Sequence, residues 1–309
     1  MINIENSPIQ EVFYNNKKIF IKRDDLLNSD FSGNKARKFH YFLINDFPCI
    51  KKVVSYGSNQ SNAMYSLSVL CKLKEWEFEY YTDHLSSAML QNPVGNLKYA
   101  LQNGMKLKLF KECKYSELDN KNTLSKTIIK NNTIFIPEGG RCETSRYGIN
   151  QLAKEIVKFK KEKKLINLAI FLPSGTGTTA LFLQQSLVKM NDKTKVYTNA
   201  CVGQKEYLRK QFLALDKNEN NHPQILDTKK HTFGKLDCKM YRFWIELQKK
   251  LDIEFDLLYD PSGFWYMMDF LQKNDITEEI MYIHQGGIKG NESMIQRYKR
   301  KCGENFQYK

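Results

Sequence analysis

The stretch LAIFLPSGTGTTALFLQQSL, residues 168–187, joins an apolar run to a helical pattern through a glycine-rich loop. A short apolar run between turn residues is typical of a buried strand, and the spacing that follows is typical of a helix. The same succession of strand, loop and helix recurs almost from end to end of the chain. It predicts an α/β fold with largely parallel sheets and helices on both faces.

Eight short runs rich in apolar or β-branched residues are predicted to be strands: residues 19–22, 52–56, 77–82, 106–110, 133–137, 168–172, 196–200 and 280–284. Helical patterns lie between them. After the second run, Ala63, Leu67, Leu70 and Leu73 recur at steps of three and four residues. This spacing places them on one face of a helix, and that face is expected to pack on a sheet.

Four glycine-rich loops interrupt the pattern: SGNK at 32–35, YGSNQSN at 56–62, PSGTGTT at 173–179 and HQGG at 284–287. Three of them directly follow a predicted strand. In open α/β sheets, ligands bind beyond the carboxyl ends of the strands. We therefore expect these loops to meet at one cleft, although they are far apart in the sequence.

Length and hydrophobicity favour an enzyme-sized globular protein over a membrane protein. The 309 residues can bury a sizeable core, and no apolar run approaches the roughly 20 residues that cross a bilayer. The first ten residues include Glu5 and no basic cluster followed by an apolar core, unlike a secretory signal. A cytoplasmic location and no membrane partner are expected.

Charge and cysteine content favour neither a nucleic-acid partner nor a metal site. The formal net charge is +14, but the lysines are spread along the chain, and the one dense basic run, KFKKEKK at 158–164, ends a helical pattern. Such a run is more often a solvated helix face than a nucleic-acid site. The seven cysteines show no C-x-x-C spacing, so reduced packing thiols and no bound metal are expected.

The loop from Ser174 to Thr179 has the features of a phosphate site. It lies between an apolar strand and a helix start, where unpaired backbone N–H groups and the helix dipole favour an anion. No lysine follows its glycines as in a Walker motif, and it lacks the G-x-G-x-x-G spacing of dinucleotide sites. A tight strand-to-helix turn with ordinary N-capping is the alternative.

Lys35 follows Gly33 and Asn34 at the predicted first turn of a helix. The helix dipole disfavours a positive charge there, which lowers the pKa of the amine and helps it to attack an aldehyde. The alternative is that Lys35, like Arg37 and Lys38, is one surface cation among many.

Ser61 and Asn62 close the YGSNQSN loop at the start of another predicted helix. Their side chains and the free backbone N–H groups are suited to a substrate carboxylate, and a serine hydroxyl can relay a proton. Helix N-capping is the rival role for both residues, because serine and asparagine are favoured caps.

Five segments, in this order and spacing, resemble a known enzyme family: IKRDDL at 21–26, SGNKARKFHYFL at 32–43, YGSNQSNA at 56–63, PSGTGTT at 173–179 and HQGG at 284–287. The family is that of the aminocyclopropane-carboxylate deaminases and D-cysteine desulfhydrases, within the tryptophan-synthase-β-like pyridoxal phosphate enzymes. The resemblance runs over nearly the whole chain. It implies a tryptophan-synthase-β-like fold and pyridoxal phosphate as the cofactor.

The resemblance also implies residue roles. Lys35 and Ser61 would be catalytic, with Lys35 bonded covalently to the cofactor, Asn34 beside it and Asn62 at the ring hydroxyl. Gln60, Ser61 and Asn62 would line the substrate carboxylate site, and the segment IPEGG at 136–140 would lie near the substrate. The cofactor phosphate would be held by Ser174, Gly175, Thr176, Gly177, Thr178 and Thr179.

The resemblance further implies two domains and a reaction class. Residues 1–47 with 137–309 would form the larger, cofactor-binding domain, and residues 48–136 an inserted smaller one. The chain would form a homodimer and act on a small amino acid. The leading reaction is D-cysteine desulfhydrase-like β-elimination to a keto acid and ammonia. Aminocyclopropane-carboxylate deaminase-like ring opening and a cofactor-binding homologue with drifted or lost activity are the alternatives.

The chain departs from the family in one segment. The family motif DPVYxGK carries a tyrosine next to the substrate, and in true deaminases the residue after it is a glutamate bonded to the ring nitrogen. Here the matching stretch is YDPSGFW, from Tyr259 to Trp265, without that Tyr, Glu or Lys. Their absence weakens the deaminase prediction most. Gln285 is then the candidate contact to the ring nitrogen, and Tyr259, Ser262 or Trp265 the candidate replacements.

Overall fold

The computed structural model describes residues 4–118, 126–229 and 233–303. In these ranges it contains the strands β1 (Ile9–Tyr14), β2 (Lys17–Arg23), β3 (Lys52–Tyr56), β4 (Glu77–Thr82), β5 (Lys106–Leu109), β6 (Ile128–Lys130), β7 (Thr133–Phe135), β8 (Leu168–Ser174), β9 (Lys195–Ala200), β10 (Gln224–Ile225) and β11 (Glu279–His284).

The same ranges contain the α-helices α1 (Gly33–Ile44), α2 (Asn62–Lys74), α3 (Ser87–Gln91), α4 (Gly95–Gln102), α5 (Arg146–Glu162), α6 (Thr178–Lys189), α7 (Lys205–Leu215), α8 (Cys238–Leu251), α9 (Asp260–Lys273) and α10 (Asn291–Cys302). No helix in the described parts of the chain is long and apolar enough to cross a membrane.

The strands form two sheets. One has six strands in the order β1-β2-β11-β8-β9-β10, and the other has five in the order β5-β4-β3-β7-β6. Neighbouring strands run parallel except in the β1–β2 and β6–β7 pairs, which are antiparallel. The predicted α/β class with largely parallel sheets is confirmed.

Alternate residues of β8 enter two different cores. Phe171 packs among residues of α8 and α9, whereas Ile170 and Leu172 pack among residues of α5 and α6. A parallel strand that is buried on both faces has a continuous apolar run rather than an alternating one, as residues 168–172 do. Helices therefore cover both faces of the six-stranded sheet, as predicted.

Each of the eight predicted strands overlaps an observed strand, but β1, β6 and β10 are missing from the prediction. All three lie at the edges of their sheets. β6 and β10 have only three and two residues, and β1 is only partly buried. Short or half-exposed edge strands lack the apolar run that the prediction depends on.

All strands of the five-stranded sheet come from residues 52–135, within the predicted insert of residues 48–136. Its core contains Val53, Leu67 and Phe78, together with Phe39 and Phe42 from α1. The segment before residue 48 therefore packs on this sheet as well. The domain boundaries stay a prediction.

Four buried charges hold α1 in place. Arg37 donates to both carboxylate oxygens of Asp24 at 2.7 Å and to Glu155 at 2.8 and 2.9 Å. Lys22 donates to Glu155 at 2.6 Å, and all four side chains are at most 5% exposed. Since buried charges are tolerated only when they are paired and hydrogen-bonded, these contacts fix α1 against β2 and α5.

The interpretation of Arg37 as a surface cation is therefore wrong. Its carboxylate partners lie 13 and 118 residues away in the sequence, so a local pattern does not reveal its burial. Burial by itself would raise the pKa of Asp24, but Arg37 outweighs that effect and holds the pKa below its usual value.

Cys238 and Cys302 form a disulfide bond that joins the first residue of α8 to the last residue of α10. The prediction that all cysteines are reduced is wrong for this pair. The other five cysteines lie outside this disulfide bond, and Cys71, Cys142 and Cys201 are buried, which agrees with a packing role. The two bonded residues are 64 positions apart, so no short spacing motif marks them.

Replacing Glu155 by alanine is expected to lower the free energy of unfolding by about 3–5 kcal/mol, because it leaves Arg37 and Lys22 as buried cations with too few partners. Urea denaturation measures the change. Asp269→Ala, which removes an exposed partner of Lys273, is the matched control and should change stability little. Equal effects of the two substitutions would contradict the structural role of this network.

Cys302→Ser is expected to lower the free energy of unfolding by roughly 2–4 kcal/mol, because the cross-link restricts the unfolded chain. Urea denaturation of the oxidised protein measures the difference. Cys49→Ser is the control, since Cys49 is an exposed free thiol. Alkylation of all seven cysteines in the non-reduced, unfolded protein would show that the bond is absent.

Candidate active site

Lys35 lies in the first turn of α1, and Gly33 fixes where that turn begins. Gly33 has a φ of +68°, and a Cβ atom there would lie 2.0 Å from the backbone oxygen of Gln285. Only glycine allows this conformation and this approach. The backbone N–H of Asn34 donates to the same oxygen at 2.9 Å. The turn after β11 therefore positions Lys35.

The Lys35 side chain is partly buried, and its amine donates to Asn34 Oδ1 at 3.3 Å. Burial lowers the pKa of Lys35 to about 8, because desolvation disfavours the charged form, while the nearby Asp256 opposes the shift. Burial thus lowers the pKa of Lys35, which is the direction predicted from the helix dipole. A larger share of neutral amine follows, and this is the form that attacks an aldehyde.

Asn34 connects Lys35 to the glycine-rich loop after β8. Its Nδ2 donates to Gln285 Oε1 at 2.8 Å and to Thr179 Oγ1 at 3.3 Å. Gln285 Nε2 in turn donates to the backbone oxygen of Pro173 at 2.6 Å. Three of the four glycine-rich loops thus meet at this point. Both ends of the Gln285 side chain are engaged within the protein, and its predicted contact to a cofactor ring stays a prediction.

The loop from Ser174 to Thr179 turns directly from β8 into α6. Gly177 precedes the helix with a φ of +73°, and a Cβ atom there would lie 2.4 Å from the ring of Phe212. The hydroxyls of Thr176 and Thr178 are 3.2 Å apart. Backbone N–H groups at such a helix start point outward with a favourable dipole, so the loop can hold a phosphate.

Lys38 is a buried amine that the sequence interpretation takes for a surface cation, and that interpretation is wrong. Its side chain is 2% exposed, and its amine donates to the backbone oxygen of Gly139 at 2.9 Å. A Cβ atom on Gly139 would lie 3.2 Å from Thr176, so Lys38 lies close to the 174–179 loop. Burial, together with the charges of Lys35 and Arg141, lowers the pKa of Lys38 well below its usual value. An anion bound nearby would relieve this shift.

Ser61 is the N-cap of α2. Its hydroxyl accepts the backbone N–H of Ala63 at 3.1 Å and that of Met64 at 3.5 Å. The neighbouring Gln60 donates through Nε2 to the backbone oxygen of Val94 at 3.1 Å. The alternative of helix N-capping is therefore confirmed for Ser61. The catalytic role of Ser61 and the substrate-binding role of Gln60 stay predictions.

Asn62 lies where the five-stranded sheet meets the six-stranded one. Its Oδ1 accepts from Asn96 Nδ2 at 2.6 Å. A Cβ atom on Gly287 would lie 2.6 Å from Asn62 Nδ2 and 2.5 Å from Asp256 Oδ2. The HQGG glycine therefore leaves room for an amide and a carboxyl group from distant segments.

Two buried carboxyl groups, Asp256 near Lys35 and Asp260 next to Asp256, are absent from the sequence prediction. Asp256 accepts the backbone N–H groups of Leu258 and Tyr259 at 2.8 and 2.6 Å, and burial, with a smaller contribution from Asp260, raises its pKa to about 8. Burial also raises the pKa of Asp260, which accepts from Tyr282 Oη at 2.7 Å. Asp260 is the first residue of α9 and Asp256 lies four residues before it, a spacing that does not by itself indicate a site. Contact with β11, through Tyr282, helps to bury Asp260.

The segment from Tyr259 to Trp265, which departs from the family motif, lies only partly beside the predicted phosphate loop. A Cβ atom on Gly175 would lie 3.4 Å from Tyr259 Oη, so this tyrosine lies beside the predicted phosphate loop. Ser262 accepts from Asn199 at 3.0 Å. Trp265 is 45% exposed and packs against a phenylalanine of α8, away from Lys35. Of the three candidate replacements, Tyr259 is the one beside this loop.

A cavity of about 380 Å³ opens beside Lys35. Four predicted site residues line it, namely Asn34, Lys35, Asn62 and Gln285. Gln60, Ser61 and the loop from 174 to 179 are outside its lining, although Asn34 bonds directly to Thr179. The structure thus gathers part of the predicted set around one cavity and attaches the phosphate loop to it.

These residues fit pyridoxal phosphate by their chemistry. An amine with a lowered pKa suits an aldehyde. A glycine-rich helix start next to the buried amine of Lys38 suits a phosphate dianion. Asn34 holds these two features together, and Asp256 adds a buried carboxyl group close enough to Lys35 to raise its pKa.

No protein-family model matches the chain. Relatives named "putative 1-aminocyclopropane-1-carboxylate deaminase", from Pyrococcus furiosus and Pyrococcus horikoshii, are each 22% identical to it over 291 and 296 residues, which is 88% of this chain and 85% of the relative. A crystal structure described as an ACC deaminase homologue covers 96% of this chain and 94% of that chain, with a TM-score of 0.76 and 21% identity.

The chain has the tryptophan-synthase-β-like fold. The resemblance stated from the sequence motifs is confirmed by these matches. A hydrogen sulfide-producing enzyme from Fusobacterium nucleatum shares the fold, with a TM-score of 0.61 and 14% identity over 92% of this chain and 94% of that one.

In the cofactor-free protein, the reactivity of the Lys35 amine is expected to rise with pH through a midpoint near 8, because the neutral form is the nucleophile. Trace acetylation at graded pH, followed by peptide mass spectrometry, measures the midpoint, with the exposed Lys273 as the reference. Asp256→Asn should move the midpoint lower, since it removes a group that raises the pKa. Identical profiles for Lys35 and Lys273 would contradict the burial effect.

Proposed function

We propose that this protein is a pyridoxal phosphate-dependent lyase or deaminase that acts on a small amino acid and carries the cofactor on Lys35. The leading form of the reaction is D-cysteine desulfhydrase-like β-elimination. The observation that carries the proposal is the Asn34 side chain, which lies next to Lys35 and donates to Thr179 at 3.3 Å. An amine suited to an aldehyde and a loop suited to a phosphate are thereby joined in one site.

The chain offers distinct groups for the two ends of the cofactor. Lys35 would hold the aldehyde end, and the helix start from Ser174 to Thr179 would hold the phosphate, with Lys38 as a nearby cation. When bound, pyridoxal phosphate supplies an electron sink that allows a bond at the substrate α-carbon to break. The protein determines which bond breaks by orienting the substrate.

Lys35 is the proposed general base at the substrate α-carbon. With a pKa near 8, Lys35 has a larger fraction of neutral amine at neutral pH than an exposed lysine has, and the neutral amine is the form that accepts a proton. The hydroxyl of Ser61 and the amides of Gln60 and Asn62 are the proposed partners of the substrate carboxylate. For D-cysteine the overall reaction consumes one water and yields pyruvate, ammonia and hydrogen sulfide.

Ring-opening deamination of a cyclopropane amino acid is the second candidate. The names of the Pyrococcus relatives support it. The missing glutamate of the family motif weakens it, but Asp256 supplies another buried carboxyl group close enough to Lys35 to raise its pKa. A homologue that binds the cofactor without turnover is the remaining alternative.

A homodimer and a cytoplasmic location are further proposals that rest on the resemblance. Disulfide bonds are rare in the reducing cytoplasm, so the oxidation state of Cys238 and Cys302 in cells bears directly on the location. Gel filtration with light scattering measures the assembly state.

Purified protein incubated with pyridoxal phosphate is expected to turn yellow, and Lys35→Ala should abolish the visible absorbance because the Lys35 amine is the one proposed to bond the aldehyde. Absorption spectroscopy after removal of free cofactor measures this. Lys273→Ala is the control and should keep the absorbance, since Lys273 is exposed. A wild type that stays colourless would refute the proposal.

Release of keto acid from D- and L-amino acids and from the cyclopropane amino acid distinguishes the candidate reactions. Hydrogen sulfide together with pyruvate supports β-elimination, and a four-carbon keto acid from the cyclopropane substrate supports ring opening. A yellow protein that is silent on every substrate supports loss of turnover.

A further inference from the structure

A second cavity, of about 660 Å³, lies between the carboxyl ends of β3 and β4 and the helix α7. One wall is the loop after β3, including Ser58 and Asn59, and the opposite wall is the start of α7, including Tyr207 and Gln211. The turn of residues 138–141 closes its side. Tyrosines, amides and hydroxyls dominate this lining, so the cavity suits a small polar ligand rather than an apolar one.

The cavity adjoins the proposed cofactor site. Gly139, in the turn at its side, packs on Thr176, with a Cβ position 3.2 Å from Thr176 Cγ2. Ser58 belongs to the YGSNQSN loop, whose end carries the proposed partners of the substrate carboxylate. A substrate held at that loop would therefore lie close to this cavity.

Arg141 is the buried cation of the cavity. Its side chain is 8% exposed, and Nη1 donates to Gln211 Oε1. Nε is buried and has no hydrogen-bond partner among the described residues. A buried N–H group without a partner carries its full desolvation penalty, so the Nε edge of this guanidinium is arranged for a group that the protein itself does not supply.

The acidic residues of the cavity lie nearer to solvent than Arg141. Glu138 is exposed, and its Oε1 would be 2.8 Å from a Cβ atom on Gly57, against the YGSNQSN loop. Asp83 and His84 are exposed at the rim. The deepest charge in the lining is therefore positive, which favours an anionic ligand group at that end.

We propose that Arg141 binds a carboxylate on the side chain of the substrate, so that the β-elimination acts on a dicarboxylic amino acid instead of D-cysteine or the cyclopropane amino acid. This inference rests on the proposed function. The Nε edge of a guanidinium can donate two parallel hydrogen bonds to one carboxylate, which an amide cannot accept in the same way. The α-carboxylate lies at the YGSNQSN loop, and the second carboxylate reaches across the cavity to Arg141.

Unreactive diacids test the proposal without turnover. The probes are succinate and glutarate, each compared with its monoamide, and the readout is the dissociation constant from calorimetry with the cofactor-loaded protein. We expect each diacid to bind wild type about tenfold more tightly than its monoamide, a difference of about 1.4 kcal/mol. Arg141→Gln should reduce this ratio to about one, and Arg141→Lys should restore part of it.

Two controls separate the alternatives. Arg209→Gln removes an arginine of α7 that is 51% exposed and paired with Glu219, and it should leave the diacid ratio unchanged. The affinity of Arg141→Gln for pyridoxal phosphate should stay within about threefold of wild type, as the visible absorbance measures. A large loss of cofactor affinity with an unchanged diacid ratio would show that Arg141 serves the cofactor phosphate and would overturn the proposal.

The outcomes also distinguish this proposal from the proposed function. A yellow wild type that binds diacids and monoamides equally overturns the inference about Arg141 alone. A wild type that takes up no pyridoxal phosphate overturns the proposed function and this inference with it. If Arg141→Gln fails to fold, as circular dichroism would reveal, the ratios of wild type and Arg141→Lys decide.

Discussion

The position of the candidate active site depends on the pairing of Arg37 with Asp24 and Glu155. These buried ion pairs fix α1 against β2 and α5, and Lys35 lies only two residues before Arg37. Removal of one partner of such a pair would leave a buried charge uncompensated. Among the described residues, the amines of Lys35 and Lys38 on the same helix donate to an amide oxygen and a backbone oxygen. The paired cation holds the helix, whereas the two weakly paired amines are left available for chemistry.

The central strands and the glycine-rich loops could be predicted from the sequence, because each has a local cause. A strand buried on both faces needs a continuous apolar run, and a helix start close to another backbone needs a glycine such as Gly33 or Gly177. The edge strands β6 and β10 are too short to show a pattern. The burial of Lys38, the pairing of Cys238 with Cys302 and the raised pKa of Asp256 depend on contacts between distant segments, and no local pattern contains that information.

Some residues satisfy two interpretations at once. Ser61 is a helix cap by its hydrogen bonds, and it is also one of the residues proposed to bind the substrate carboxylate. Gln285 is a candidate ring contact by resemblance, but its amide already joins Asn34 to Pro173. In both cases a hydrogen bond that stabilises the fold also holds the residue at the proposed site.

The contact between Gly33 and the backbone of Gln285 also joins a segment that is synthesised early to one that is synthesised late. The two bonded segments are about 250 residues apart, so the start of α1 lacks its docking partner until nearly all of the polypeptide has been synthesised. A chain that ends before residue 285 therefore lacks the backbone contact that positions the turn bearing Lys35.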